Sequence, residues 1–414
     1  MRTLKNIKLG TLIMVLSFVF LASGGVAQNT LPKYISESDN NPGLKAKYKE
    51  YEMTMENIVR QGFFSDPTFS AGMFINPVET RLGAQRVKLS VSQMFPWFGT
   101  VNAREQEAII LANSKFEDYL LFKSKLHYDI KITWFDMYMN VKESEFAKKQ
   151  IELIKILSSH ALQMFETGLL DMTDVLQFQM LVDEFESKLL TLDDKGETLK
   201  AKFNLLLNND PESEIIIPDT ILFAPDDNFN IDSIVDNNHI LRSLRARHEA
   251  ASYSEIISNK LSKPKIGVGL DYVIVSKRTD ANPSGNGKDI IMPMASLSVP
   301  IFKKKNQSRI NKSQLKKEQL ALMIDDKVAQ IKLDYRISIQ KYNDAIREAE
   351  LYKKLLNKNT MSLNIVKAGY ISSKIKYPEV LNIFQMDYNF KIMYYKAFVD
   401  EKRSLASLEY LMGK

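Results

Sequence analysis

The sequence predicts a mainly α-helical protein with a few β-strands, built from two copies of one strand-to-helix unit. In the stretch VKLSVSQMFPWFG, Val87–Gly99, apolar and polar residues alternate up to Pro96. Such alternation with a period of two is typical of a half-buried strand. No proline then occurs from Trp97 to Asp210, and apolar residues recur three and four positions apart. This second pattern predicts very long helices.

A second passage repeats this design and indicates an internal duplication. In MASLSVPIFKKK, Met294–Lys305, the same alternation leads into a proline that corresponds to Pro96, and another proline-free run follows. Pro96 precedes Gly168 by 72 residues, and Pro300 precedes Gly369 by 69 residues. The near-equality of the two spacings supports a duplicated unit in which each glycine marks the turn at the tip of a helical hairpin.

The N-terminal residues predict export. Arg2, Lys5 and Lys8 precede an apolar run, and small residues follow that run just before Gln28. This order is typical of a secretory signal peptide, which we place at residues 1–27. The alternative is a transmembrane anchor, although the apolar run is shorter than the roughly 18 residues that a spanning helix requires.

Composition excludes several classes of function. The chain has 414 residues, a formal charge of +6 and no cysteine, and removal of the three basic residues of the signal peptide lowers this charge to +3. A balance of this size does not indicate a nucleic-acid partner. Without cysteine there is no disulfide, no thiolate metal site and no lipid-modified cysteine. We find no metal-binding motif, nucleophile, acid–base pair or cofactor loop, so we predict neither an enzyme nor a cofactor-binding protein.

The first repeat is predicted to contain, in order, a helix, a β-hairpin and a long helical hairpin. Its predicted bounds are 28–210 for the repeat, 67–97 for the β-hairpin and 100–209 for the helical hairpin. The helix after Gly99 extends to about Phe165, and at about 1.5 Å per residue it is on the order of 100 Å long. Thr167 and Gly168 end it.

An irregular, proline-containing connector separates the two repeats, and the second repeat then follows the same order. The predicted bounds are 211–228 for the connector, 229–414 for the repeat, 264–302 for its β-hairpin and 306–413 for its helical hairpin. The helix that opens this repeat is predicted from about Ile231 to Leu261, and the long helix is predicted to end at Gly369.

The four predicted strands match membrane-barrel strands in length and pattern, because each has one apolar face and one face of small and polar residues. We predict that the apolar faces contact lipid, through Leu89, Val91, Leu270 and Leu297. Four strands cannot close a barrel, which needs about eight, so several copies must pool their strands, and three copies would give twelve. The alternative is a water-soluble β-sandwich attached to helices.

Several motifs carry a resemblance to a known family. They are SQMFPWFG at Ser92–Gly99 before a long helix, FETG at Phe165–Gly168 followed by Asp174–Leu176, and Ala368–Tyr370 followed by Glu379–Leu381. Together they resemble the TolC-type outer-membrane efflux proteins over nearly the whole mature chain. The strand-to-helix junctions of this pattern are Pro96, Trp97, Gly99 and Pro300. The PWFG form resembles the members that accompany heavy-metal efflux pumps.

The resemblance implies a homotrimer with a twelve-stranded barrel in the outer membrane of a Gram-negative-type cell and a helical tunnel in the periplasm. Such proteins are passive exit ducts of tripartite pumps. They dock to a periplasmic adaptor protein and, through it, to an inner-membrane transporter, which selects the solute. The alternatives are an exit duct for type I secretion and a coiled-coil envelope scaffold that transports nothing.

The resemblance also directs attention to carboxylates near the two helical turns, namely Glu166, Asp171, Asp174 and Glu379. In the family, acidic side chains just past the second turn ring a narrow aperture. Glu379 falls on one such position, whereas Asn382 occupies the next without a charge. The alternative role is local, because carboxylates at the start of a helix are stabilised by the helix dipole.

The sequence departs from the family pattern in three places. Lys303 stands where the second repeat would carry a glycine, and the second tip is about four residues longer between Gly369 and Leu381 than the first tip. There is also no cysteine that could carry a lipid anchor.

Overall fold

The computed structural model of the protein describes residues 30–221, 229–372 and 377–414. The predicted signal peptide lies outside the described residues, as does part of the predicted connector. The described helices are α1 Thr30–Glu37, α2 Pro42–Gln61, α3 Thr100–Glu166, α4 Met172–Leu207, α5 Ile231–Asn237, α6 His239–Lys260, α7 Lys303–Ile371 and α8 Tyr377–Leu411. The strands are β1 Thr68–Met73, β2 Glu79–Thr80, β3 Gly83–Phe95, β4 Lys265–Val275 and β5 Ile290–Ser298. No helix in these ranges is long and apolar enough to span a membrane.

The chain divides into two compact units, each assembled from segments that are distant in sequence. One unit takes its described residues from the segments up to Ala46, Leu121–Asn238 and Gln330–Lys414, and the other comprises Lys47–Leu120 and His239–Ala329. Both units contain segments of both predicted repeats. The first holds the tip-proximal parts of the helical hairpins, and the second holds the strands.

The strands form one antiparallel sheet in the order β1-β3-β4-β5, with the short β2 paired to β3 beside this path. The two β-hairpins are joined side by side, because β3 of the first repeat pairs with β4 of the second from Phe95↔Ile266 to Gln85↔Val275. β4 lies at the start of the predicted β-hairpin 264–302. β5 spans Ile290–Ser298 and ends before Val299, whereas the predicted β-hairpin extends to residue 302. Its Pro293 is tolerated because β5 is an edge strand of this sheet.

Four helices share one hydrophobic core in the first unit. Fully buried side chains come from each of them, including Ile154 of α3, Phe178 of α4, Tyr370 of α7 and Phe384 of α8. The rings of Phe178 and Tyr370 lie 6.4 Å apart between centroids. The apolar stripes that the sequence places on each helical hairpin therefore pack the two hairpins against each other within one chain.

Two helix boundaries differ from the predicted ones. The predicted helix 231–261 is two helices, α5 and α6, separated at Asn238, which has an extended backbone with φ −64° and ψ 119°. The buried Asn238 amide donates a hydrogen bond to the Leu411 carbonyl at 3.0 Å, a distant contact that local periodicity does not reveal. The long helix of the second repeat continues to Ile371, so Gly369 lies inside its last turn and not at its end.

A half-buried histidine on α3, whose Nε2 atom is inaccessible, predicts acid sensitivity. Burial, together with the nearby charges of Lys123 and Lys131, lowers the pKa of His127 to about 4. Its Nε2 atom has no hydrogen-bond partner within the described ranges. The unfolded chain binds a proton at this imidazole below about pH 6.5 while the folded chain does not, so stability falls as the pH drops through this window, by at most on the order of 3 kcal/mol.

We therefore expect His127→Phe to reduce the loss of thermal stability between pH 7 and pH 5. The measurement is the unfolding temperature by circular dichroism at both pH values, for the parent and the variant. An equal loss in both proteins would show that His127 does not cause the acid sensitivity.

Candidate functional site

The sheet has one continuous apolar face. Residues paired directly across antiparallel strands share a face, and the register pairs Val91 with Leu270, Leu89 with Tyr272 and Ile266 with Leu297. Leu89 and Leu270 are each 44% exposed and Leu297 is 64% exposed, so this apolar face is uncovered in the single chain. The register thus brings all four predicted lipid-facing residues to one face. That this face contacts lipid stays a prediction.

The opposite face is polar and carries an ion pair. Ser90 is paired with Asp271 across β3 and β4, and the Lys88 ammonium contacts the Asp271 carboxylate. Asp271 is completely buried, whereas the Lys88 side chain is 38% exposed. The sequence placed both residues on polar faces but could not pair them, because the two belong to different repeats and the pairing depends on the register between β3 and β4.

Glycine makes room on this polar face. A Cβ atom at Gly267 would collide with Ser296 on one side and Met94 on the other, and both are its register partners. Gly267 therefore lets neighbouring strands carry larger side chains at the same level. In β4 the small and polar residues alternate with apolar ones, which predicted a strand. The small and polar residues all point to this face and set its shape.

The first strand-to-helix junction turns sharply between β3 and α3. Gly99 has φ +72°, a left-handed conformation that side chains other than glycine rarely adopt. The Thr100 hydroxyl donates to the Trp97 carbonyl at 2.6 Å, and the Lys260 ammonium donates to the Phe98 carbonyl at 3.0 Å. These bonds satisfy backbone carbonyls that neither the strand nor the helix uses.

The second junction is built differently. After β5 the chain passes through Pro300, and α7 begins at Lys303. The Asn306 side chain donates to the Pro300 carbonyl at 3.3 Å. No positive-φ glycine lies in this junction, which agrees with the sequence departure at Lys303.

The first helical tip is a glycine-terminated turn. The Gly168 amide donates to the Phe165 carbonyl and the Leu169 amide to the Met164 carbonyl, both at 2.9 Å. With φ +73° at Gly168, these two bonds form the Schellman motif that commonly ends helices. The predicted turn at the first tip is therefore formed by the left-handed conformation of Gly168. Gly369 does not share it, because it is helical and is not among the positive-φ glycines.

The four candidate aperture carboxylates lie at the ends of the tip helices. Glu166 is the last residue of α3, Asp171 is the N-cap of α4 without a side-chain capping bond, and Asp174 and Glu379 lie in the first turns of α4 and α8. Glu166, Asp171 and Glu379 are exposed, and Asp174 is half-buried. Within the described ranges, none forms an ion pair.

The two tips can be compared through the hydrophobic core that their helices share. Asp174 precedes Val175 and Glu379 precedes Val380, and both valines are completely buried in the same cluster. The two carboxylates thus hold equivalent positions in the two repeats, one residue before a buried valine at the start of a returning helix. This equivalence favours a common role for them.

Sequence reasoning missed the polar links between the two helical hairpins. The Arg403 guanidinium of α8 contacts Asp136 of α3 and also Asp400 at 2.6 Å. Lys131 of α3 pairs with Glu409 of α8 at 2.6 Å. Every long helix here is rich in charge, so the sequence gives no indication of which charges pair. Elsewhere in the described ranges, no cluster of three or more His, Asp or Glu residues could hold a metal ion.

Solved structures show what this architecture is similar to. No protein-family model matches the sequence, and no curated protein matches it significantly. The outer-membrane channel OprN aligns with a TM-score of 0.79 at 13% identity, covering 93% of this chain and 90% of that one. The outer membrane protein VceC from Vibrio cholerae gives 0.79 at 14% identity, with 92% and 96% covered. CusC gives 0.78 at 13% identity, with 93% and 92% covered.

The chain has the TolC-type outer-membrane channel fold. The predicted fold class and the family resemblance are confirmed at the level of this fold. The alignment with OprN covers over nine-tenths of this chain. At 13% identity it says nothing of individual side chains, so the roles of the junction, face and tip residues depend on the geometry above.

Proposed function

We propose that this protein is an exit duct in the outer membrane, serving an efflux pump as a passive conduit. The observation that carries the proposal is the sheet with one exposed apolar face and one polar face, whose strands lead directly into very long helices. An apolar face of this kind suits lipid, and a polar face suits a water-filled lumen. An envelope scaffold that transports nothing has no need of such strands.

The strand order supports assembly of several copies. β1 and β5 are the two edges of the sheet, and because the strands alternate in direction, β1 and β5 run antiparallel to each other. The β5 edge of one copy can therefore continue into the β1 edge of the next as another antiparallel pair. A head-to-tail contact of this kind closes into a ring, and three copies supply the twelve strands of the proposed trimeric barrel.

The proposed partners follow from the helical part. Its tips would meet a periplasmic adaptor, which joins the duct to an inner-membrane transporter that selects the cargo. The PWFG junction motif favours a heavy-metal efflux pump. Type I secretion is the second candidate, because a duct of the same shape would serve a transporter of proteins equally well.

The test of the proposal is conductance. Protein purified from outer membranes should migrate as a trimer after chemical cross-linking and should produce discrete channels in planar lipid bilayers. An affinity tag inserted in the loop 276–289 should be labelled on intact cells. A protein that fractionates with the outer membrane but conducts no ions in any bilayer would fit the scaffold alternative and contradict the duct.

We further propose that Asp174 and Glu379 line the aperture at the closed end of the tunnel. Threefold symmetry would place three copies of each carboxylate near the axis, and rings of carboxylates attract cations. We expect Asp174→Lys and Glu379→Lys each to lower cation preference or alter the closed-state conductance in single-channel recordings. Asp193→Lys on α4 is the matched control, because Asp193 is exposed and forms no ion pair within the described ranges.

Unchanged selectivity and conductance in both tip variants would show that other residues form the aperture. An equal change in the Asp193 control would show that the recordings report net charge and not position. Only the local role, stabilisation of the helix starts by the dipole, would then remain for Asp174 and Glu379.

A further inference from the structure

Five lysines surround the strand-to-helix junctions and form what we call the lysine collar. They are Lys260 at the end of α6, Lys263 before β4, and Lys303, Lys304 and Lys305 in the first turn of α7. Four of them are exposed and Lys260 is half-buried. None of the five has a carboxylate within 4 Å in the described part of the chain. The collar therefore carries uncompensated positive charge.

The three lysines at the start of α7 do not stabilise that helix. The first turn of α7 contains no acidic residue, and cations at a helix start are disfavoured by the helix dipole. Three consecutive lysines at this position are thus unfavourable within the isolated chain. An external anion lying against them would offset this cost.

Large aromatic side chains are exposed beside the collar, and we call them the aromatic rim. Phe98 and Phe302 are 75% and 70% exposed. Trp97 is 36% exposed, and its ring lies 5.8 Å from that of Phe98. A pocket of about 160 Å³ opens here, lined by Phe95, Pro96, Trp97, Phe98, Pro264 and Ile266.

Contacts within the second unit join the rim to the collar. Lys260 donates to the Phe98 carbonyl. The α6 and α7 helices lie side by side, because the Ser258 and Ser313 hydroxyls are 2.8 Å apart and Arg309 donates to the Ser262 hydroxyl at 3.3 Å. Lys303–Lys305 thus begin α7 beside the end of α6, directly after Phe302. Aromatic and basic side chains are mixed in one band where the apolar sheet face ends.

We infer that this band binds the anionic headgroups of phospholipids in the periplasmic leaflet of the outer membrane, an inference that rests on the proposed function. Two features of the band together favour a membrane surface. Aromatic rings favour the interfacial region of a bilayer, and lysines favour anionic lipid headgroups with their aliphatic stems lying along apolar surface. The apolar sheet face beside the band provides the adjoining surface for acyl chains.

The test uses the fluorescence of Trp97. The chain contains two tryptophans, and the other, Trp134, is 2% exposed and has no hydrogen-bond partner for its indole nitrogen in the described ranges. The full-length Trp134→Phe variant therefore reports on Trp97 alone. It is reconstituted as the assembled protein in vesicles of phosphatidylcholine with a minority of phosphatidylglycerol, and bromine is carried on the acyl chains of one lipid or the other to quench the indole.

We expect quenching by brominated phosphatidylglycerol to exceed that expected from its bulk fraction by about twofold or more, and the excess to fall with added salt. Replacing Lys303, Lys304 and Lys305 together by glutamine should remove the excess. The matched control replaces Lys353, Lys354 and Lys358 by glutamine, three exposed lysines further along α7, and should retain it.

Two outcomes separate the inference from the proposed function. If both brominated lipids quench Trp97 but phosphatidylglycerol shows no excess, or the excess survives in the Lys303–Lys305 variant, the lysine collar does not bind anionic lipid. The duct proposal then stands, and a protein partner becomes the candidate for the collar. If neither lipid quenches Trp97, the junction lies away from the bilayer and the membrane assignment itself is wrong.

Discussion

Leu89→Arg is expected to prevent accumulation of the assembled protein in the outer membrane. Leu89 lies on the exposed apolar face of the sheet, paired with Tyr272 and flanked by other apolar residues. An arginine facing lipid near the middle of the bilayer costs about 2–4 kcal/mol, and a trimer would incur this cost in three copies. The measurement is the yield of heat-modifiable trimer in outer-membrane fractions.

The control is the adjacent position on the polar face. Ser90 is paired with Asp271, so Ser90→Arg would place its guanidinium beside a carboxylate and facing away from lipid. We expect much smaller losses for this variant than for Leu89→Arg. Equal losses at the two positions would show that the faces are assigned wrongly or that the sheet does not enter a membrane.

Phe178→Ala is expected to destabilise the helical part more than any other single change considered. Phe178 is 1% exposed in the core shared by four helices, and its ring packs against that of Tyr370. Removal of a buried phenyl group costs about 3–5 kcal/mol through lost burial and the cavity that remains. We expect a lower unfolding temperature in detergent, followed by the helical circular dichroism signal.

Phe165→Ala is the comparison, because Phe165 lies near the same tip but is 39% exposed. Its truncation creates no enclosed cavity, so the unfolding temperature should change little. A large effect at Phe165 in the trimer would place this ring in a contact between copies. A small effect at Phe178 would contradict the shared core.

Much of the architecture could be predicted because it depends on local sequence patterns. Alternation in Lys265–Val275 fixes both the strand and the face of Leu270, since side-chain direction in a strand depends only on parity. The absence of proline over long runs permits helices such as α3, and Gly168 supplies the left-handed residue that ends it. These features require no knowledge of what packs against them.

The remaining features depend on contacts between distant segments. The break at Asn238 coincides with a hydrogen bond to Leu411, and the Lys88–Asp271 pair exists only once β3 and β4 have aligned. At Gly369 the local sequence pattern itself gave the wrong prediction. It looked equivalent to Gly168 by spacing, yet its backbone continues the helix, because glycine permits a left-handed turn without enforcing one.

The two open edges of the sheet have a consequence for biogenesis. A chain that folds alone presents unpaired backbone donors and acceptors along β1 and β5 beside an apolar face, and such edges readily pair with the wrong strand. If the chain is exported and forms the proposed trimer, completing the fold of the strand region and meeting other copies would be a single event, with a rate that rises with the local concentration of newly exported chains. Slow export would lengthen the time spent as a vulnerable monomer, so periplasmic chaperones that shield strand edges should matter most when expression is low.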